Sequence, residues 1–169
     1  ARLAAAAVDR FGQVDVWVNN VGVGALGFFW DVPARDHARI VDVNLKGLVF
    51  GACEALARFR AQGFGTLVNI GSIAAHGGQP YIVAYCAAKA ALLVLTKNLA
   101  NALRWDRIRV NALNIGWTAT PTEHELQTTF HGLGDDWLER VSANQPFGRL
   151  LSPEDVARAM AFLASDESA

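Results

Sequence analysis

Three short apolar segments alternating with two long helical ones restrict the fold more than any other feature of this chain. Val14 to Asn20, Thr66 to Ile70 and Ile108 to Leu113 are rich in β-branched and aliphatic residues and carry few charges. Strands buried on both faces read this way. Between them lie Asp36 to about Arg60, preceded by a short helix near Trp30, and Ile82 to Arg104, each with helical length and composition. Strands separated by helices of that length predict a parallel sheet with helices on both faces. Ala1 to Phe11 reads as the tail of a further helix that Gly12 stops. Thr118 to Gln145 reads as a partly helical, mobile segment. The last helix has the clearest start: Ser152 as N-cap, Pro153 in the first turn, and Glu154 and Asp155 beside the positive end of the dipole. With no linker, repeat or low-complexity tract, residues 1–169 are expected to form one α/β domain.

Composition narrows the function classes. The chain is 52% hydrophobic and 18% charged with a net charge of −1, so no basic excess exists to neutralise phosphates, and nucleic acid is not an expected partner. Charges interrupt the apolar runs, Lys89 between Ile82 and Leu95 for example, so none is expected to reach the roughly 18 residues of a membrane span. Cys53 and Cys86 have neither metal-site spacing nor the density of a disulfide scaffold and are read as reduced thiols. With no charged-then-apolar leader in view, a cytoplasmic location is the default expectation. No metal site is expected, since His124 and His131 lack ligand spacing.

Gly22-Val23-Gly24-Ala25-Leu26-Gly27 matches the GxGxxG pattern of a dinucleotide-binding turn and follows a predicted strand. That motif works only when a helix starts at once and points its N-terminus at the pyrophosphate. Phe28-Phe29-Trp30-Asp31-Val32-Pro33 is a poor helix, and no acidic residue closes a second strand about twenty residues on. A flexible loop is the better reading.

The chemistry is carried elsewhere. Tyr85 and Lys89 stand at i and i+4, one turn apart on one helix face. A free phenol titrates near about 10, too high for efficient proton transfer at neutrality, and a cation within about 4–6 Å favours the phenolate. Ser72 lies thirteen residues upstream of Tyr85, directly after a predicted strand, at the sheet edge where open α/β folds bind ligands. A hydroxyl there can donate to a developing alkoxide. Asn44 interrupts a helix between Val43 and Leu45, a position where asparagine is a mediocre helix former.

Taken in order, these pieces resemble the short-chain dehydrogenase/reductase family across essentially all 169 residues. The matching pieces are Asn19-Asn20-Val21-Gly22, Asp42-Val43-Asn44, Ser72, Tyr85-xxx-Lys89 and Arg109-Val110-Asn111. They continue with Asn114-Ile115-Gly116-Trp117-Thr118-Ala119-Thr120 and Pro153-Glu154-Asp155-Val156-Ala157. The resemblance implies a Rossmann-like, doubly wound parallel sheet, here incomplete, with about three central strands and flanking helices. It also implies NAD or NADP as cofactor. Tyr85 would be the general acid/base; Lys89 would lower its pKa and hold the ribose hydroxyls. Ser72 would orient the substrate, and Asn44 would anchor a proton-relaying water. Asn19 and Gly22 would line the adenosine side, and Ile115, Gly116, Thr118 and Thr120 the nicotinamide end. The helices bearing Asn44 and Tyr85 are those that family members pair between subunits, which implies a homo-oligomer, dimer or tetramer.

Val21 replaces the family's usual alanine and Ile115 its usual proline; neither change removes a reacting group. The glycine-rich phosphate turn and the last strand of the family are not found in this sequence.

Three functional readings follow. The first is an NAD(P)-dependent oxidoreductase interconverting a secondary alcohol and a ketone or aldehyde. The second is an inert fragment that self-associates through its helices, and the third is a cofactor sensor, which an intact Tyr85/Lys89 pair argues against. The expected pocket draws on His76, Gln79, Tyr81, Trp117 and residues 122–137, a polar lining that favours a sugar or polyol over a steroid. Residues that would separate NAD from NADP are not identified.

Overall fold

A computed structural model describes residues 2–169. Three parallel strands, β1 (Val16–Asn19), β2 (Gly65–Ser72) and β3 (Ile108–Ile115), form one sheet in the order β1-β2-β3. The register sets Val16 beside Thr66 and Asn19 beside Asn69, then Gly65 beside Ile108 and Ser72 beside Ile115. All three strands therefore end on the same edge of the sheet. The helices are α1 (Arg2–Phe11), α2 (Ala34–Val41), α3 (Leu48–Gln62), α4 (Val83–Ala102), α5 (Pro121–Glu125), α6 (Trp137–Ala143) and α7 (Pro153–Ala164). A π-helical turn, Asp42–Gly47, joins α2 to α3, and a second, Leu126–Phe130, follows α5.

Side chains alternate across a strand, so each face of the sheet meets different helices. Leu67 and Val110 point to one face, where they meet Ala52, Ala55 and Phe59 of α3 and Leu99 and Ala100 of α4. Gly51 lets α3 close on β1: a Cβ there would lie 2.3 Å from the Asn19 side-chain oxygen. Arg109 points to the opposite face and donates to the Leu163 and Ser165 carbonyls at 3.1 and 2.9 Å, capping the C-terminal end of α7. Helices on both faces are what the strand composition predicts.

Several expectations change in detail. No helix forms near Trp30; residues 29–31 make a turn in which the Phe28 carbonyl accepts from Asp31 N–H at 2.9 Å. Pro33, with an extended ψ of 138°, then opens α2. Ser72 is the last residue of β2 and does not follow the strand. α4 is long and apolar enough to cross a membrane by length and composition, against the expectation that no run would be. Its Lys89 is nonetheless buried and bonded to β2, and the helix packs on β2 and β3. Residues 118–145 hold two short helices, and the α6 residue Trp137 is only 1% exposed.

Candidate active site

The strand ends position the candidate groups. β2 delivers Ser72 to the sheet edge, and its hydroxyl accepts from the Ala74 N–H at 3.1 Å, capping the 3-10 turn Ile73–His76. A hydroxyl has one donor and two acceptor sites. With an acceptor site engaged by Ala74, the Ser72 O–H is left as a donor, and Tyr85 is its partner.

α4 begins ten residues after Ile73 and brings Tyr85 and Lys89 alongside. Lys89 is 3% exposed; its ammonium donates to the Ile70 carbonyl at 2.6 Å and stands 5.6 Å from the Tyr85 ring centre. Burial pushes the Tyr85 phenol above its ordinary value, opposed by a hydrogen bond with Ser72. Burial pushes Lys89 the other way, towards the neutral amine. Desolvation, and not the neighbouring Lys89, is therefore the leading influence on the Tyr85 phenol, and Lys89 donates instead to the Ile70 carbonyl.

Asn44 is fully buried in the first π-helical turn. Its amide donates to the Val23 carbonyl at 2.7 Å and its oxygen accepts from the Val23 N–H at 2.8 Å. This two-point clasp holds the Gly22–Gly27 loop against the helix. Gly22 is exposed on that loop, which carries no helix; the GxGxxG match is a loop, as its sequence suggests. Asn44's side chain is thus engaged with the loop through both its oxygen and its amide.

Asn19 turns inward. Its oxygen accepts from the Trp17 indole at 2.9 Å; its amide donates to the Leu48 carbonyl at 3.1 Å and to Asn69 Oδ1 at 2.8 Å. Asn69 donates in turn to Thr96 Oγ1, which donates to the Leu92 carbonyl. This buried chain ties β1, β2, α3 and α4 together. It commits both amide hydrogens of Asn19 to the protein interior. Asn69 and Thr96 escaped the sequence reading. Their one signal was polarity: an asparagine inside the apolar TLVNI run, and a threonine seven residues after Lys89.

Ile115 ends β3 beside Ser72, and Gly116, Trp117, Thr118 and Thr120 follow it away from the sheet. Leu151 braces this segment, donating to the Trp117 carbonyl at 3.0 Å and accepting from Ala119 N–H at 2.8 Å. Thr118 donates to the Gly116 carbonyl, and Thr120 caps α5 by accepting from Glu123 N–H at 3.1 Å. Of the other expected pocket residues, His76, Gln79 and Tyr81 are exposed on the loop before α4, with Tyr81 against Phe28 at 4.7 Å. Ser72, Tyr85, Lys89 and the Ile115–Thr120 segment thus share the carboxyl edge of the sheet, where open α/β folds bind ligands.

Comparisons with known proteins agree with this fold. A family model described as enoyl-(acyl carrier protein) reductase matches residues 1–169. 2-(S)-hydroxypropyl-CoM dehydrogenase 3 of Xanthobacter autotrophicus is 37% identical over 163 residues, 96% of this chain and 64% of that protein. 3alpha-hydroxysteroid dehydrogenase of Mediterraneibacter gnavus is 37% identical over 159 residues, 94% of this chain and 60% of that protein. The crystal structure of an NAD+-bound xylitol dehydrogenase superposes with a TM-score of 0.88 at 26% identity, covering 99% of this chain and 68% of that one. The fold is that of a Rossmann-like oxidoreductase. The chain belongs to the short-chain dehydrogenase/reductase family, and it spans 60–64% of the length of the two curated relatives just named.

Proposed function

We propose that the complete protein interconverts a secondary alcohol and a ketone or aldehyde with NAD or NADP, using Tyr85 as general acid/base. The observation that carries this reading is the convergence of Ser72, Tyr85 and Lys89 at the carboxyl edge of a parallel sheet. The donor set fits the nicotinamide–ribose half of such a cofactor. Lys89 has three N–H donors and spends one on the Ile70 carbonyl, leaving two for ribose hydroxyls. Thr120 accepts from Glu123 and keeps its own O–H for the carboxamide end.

When bound, a nicotinamide supplies a hydride to a carbonyl carbon or accepts one from an alcohol carbon. Ser72 turns its O–H from Tyr85 to the substrate oxygen and holds that oxygen near the phenol. In reduction the Tyr85 phenol gives its proton to that oxygen; in oxidation the phenolate takes it back. Lys89, close to the ring, stabilises the phenolate while it lasts.

The substrate is proposed to be a small alcohol or carbonyl compound, a sugar or polyol by preference, in keeping with the similarity to a xylitol dehydrogenase. A homo-oligomer, dimer or tetramer, is part of the proposal, supported by exposed Phe50 on α3 and Val94 on α4. A cytoplasmic setting accords with Cys53 and Cys86 being free thiols.

The test is Tyr85→Phe in the complete protein, assayed by NADH and NADPH oxidation with cyclohexanone and a ketose. Turnover is expected to fall by about 10²–10⁴ while the circular dichroism stays that of the parent. Turnover close to the parent's would exclude the role given to Tyr85.

A further inference from the structure

Tyr85, Lys89, Leu92 and Thr96 stand at i, i+4, i+7 and i+11 along α4, so one face of the helix carries all four. The Tyr85 end of that face belongs to the candidate active site. Thr96 lies about 16 Å further along the helix axis. There a buried hydrogen-bonded chain grips α4. Asn69 of β2, fully buried, donates to Thr96 Oγ1 at 2.9 Å, and Thr96, 4% exposed, donates to the Leu92 carbonyl at 2.8 Å. A hydroxyl has one proton, so with that proton on Leu92 only an acceptor site faces Asn69. Asn69 is held in turn, since its oxygen accepts from Asn19 at 2.8 Å.

Lys89 also bonds α4 to β2, through the Ile70 carbonyl, but the two bonds differ in what they can fix. The flexible four-carbon stem of Lys89 can follow a small slide of the helix. Asn69 and Thr96 have short side chains, and a hydrogen bond weakens steeply when it is stretched or bent. The contacts of Leu99 and Ala100 with the core around Leu67 are apolar and carry no direction. A slide of α4 along β2 is therefore resisted first by the Asn69–Thr96 bond. Apolar side chains of the same shape could replace such a pair with little loss of stability; what a satisfied polar pair adds is one permitted arrangement.

We propose that Thr96, gripped by Asn69, is a positioning residue: it fixes how far along β2 the helix α4 sits, and so sets the separation of the Tyr85 phenol from the Ser72 hydroxyl. Ser72 is three residues from Asn69 on a strand buried along its whole length, so it moves with Asn69. Lys89 and Cys86, the ionisable groups beside Tyr85, lie on α4 and move with the phenol, and Ile40, which packs there from α2, is apolar. A slide thus weakens the Ser72–Tyr85 hydrogen bond, which lowers the phenol's pKa, and leaves its other neighbours in place. The catalytic consequence rests on the oxidoreductase reading above; the register role does not.

The experiment compares the complete protein with its Thr96→Val, Thr96→Ser and Ile108→Val variants. Valine keeps the shape of threonine and cannot accept from Asn69, whereas serine keeps the hydroxyl. Ile108→Val thins the core away from the link and measures what lost stability alone does. In the crystal structure of Thr96→Val, α4 is expected to be displaced along its axis by roughly 0.5–1 Å relative to β2, with Lys89 still on the Ile70 carbonyl. Its kcat for cyclohexanone reduction is expected to fall about ten- to a hundredfold, with KM within about twofold of the parent's. The rise of kcat/KM for alcohol oxidation should move to higher pH. Thr96→Ser should keep the parent's register, kcat and profile, and Ile108→Val should lower the urea midpoint at the parent's kcat. Should Thr96→Val fail to fold, Thr96→Ala, which leaves room for a water on Asn69, is read in the same way. An unmoved α4 would overturn the register role. A displaced helix with parental kcat and oxidation profile would overturn its catalytic consequence, as would an equal loss of kcat in Ile108→Val. Failure of the oxidoreductase reading is seen separately, as undiminished turnover in Tyr85→Phe, and leaves the crystallographic result standing.

Discussion

Tyr85 sits between two opposing influences, and their balance has a kinetic consequence. Burial disfavours the phenolate and raises the pKa, while the Ser72 hydroxyl lowers it by a smaller amount. Alcohol oxidation needs the phenolate, which exists above the pKa; carbonyl reduction needs the phenol, which exists below it. In the complete protein kcat/KM for oxidation is therefore expected to climb with pH through and beyond neutrality, and kcat/KM for reduction to stay level over the same range, because the phenol keeps its proton until the pH passes its raised pKa. Initial rates in both directions from pH 6 to 10 check this. An oxidation profile that is flat or falls with pH would show that Tyr85 is not the base. The i, i+4 pair was legible in the sequence because helix periodicity alone brings Tyr85 and Lys89 to one face. Which partner Lys89 chooses was not, because the Ile70 carbonyl comes from another element nineteen residues away.

Among the elements, the helix carrying Asn44 differs most from a regular one. α2 and α3 form one run interrupted by the π-helical turn Asp42–Gly47, a distortion often found at functional positions. Asn44 stood out by sequence as a polar break in a helix, but its clasp on Val23 depends on a loop twenty-one residues earlier in the chain. α7 is the opposite case, fully legible because its signals are local. Ser152 accepts from Asp155 N–H at 3.2 Å and Asp155 accepts from Ser152 N–H at 2.9 Å, a complete capping box. Arg149 and the Ser152 backbone hold the Asp155 carboxyl well below the usual carboxylate range, so this cap persists at neutral pH and weakens only in strong acid. Ser152→Ala is expected to cost about 1 kcal/mol, read as a lower midpoint in urea denaturation. A midpoint equal to the parent's would mean that α7 is held by its packing and by Arg109 alone.

For the molecule as a whole, the outer edges of β1 and β3 have no strand partner among the described residues. Unpaired edges and exposed apolar side chains such as Val21 and Phe50 invite association. Expressed as residues 1–169 alone, the chain is expected to self-associate and to bind NADH weakly, since its Gly22–Gly27 loop offers no helix N-terminus to a pyrophosphate. Light scattering with a fluorescence titration of NADH measures both. A monodisperse monomer with tight NADH binding would contradict the expectation.

Local pattern settled a good deal from the residues alone. The apolar runs made parallel strands, with β2 buried along its whole length, the i, i+4 spacing put Tyr85 beside Lys89, and Ser152 with Asp155 started α7. Each depends on residues close in the chain, where backbone periodicity and short-range hydrogen bonds decide the outcome. The direction of Asn19, the clasp of Asn44 on Val23 and the Asn69–Thr96 link were decided only when the elements packed. Each joins groups from different elements. A buried polar group takes whichever partner packing brings within hydrogen-bond reach, and spacing along the chain does not encode which partner that will be.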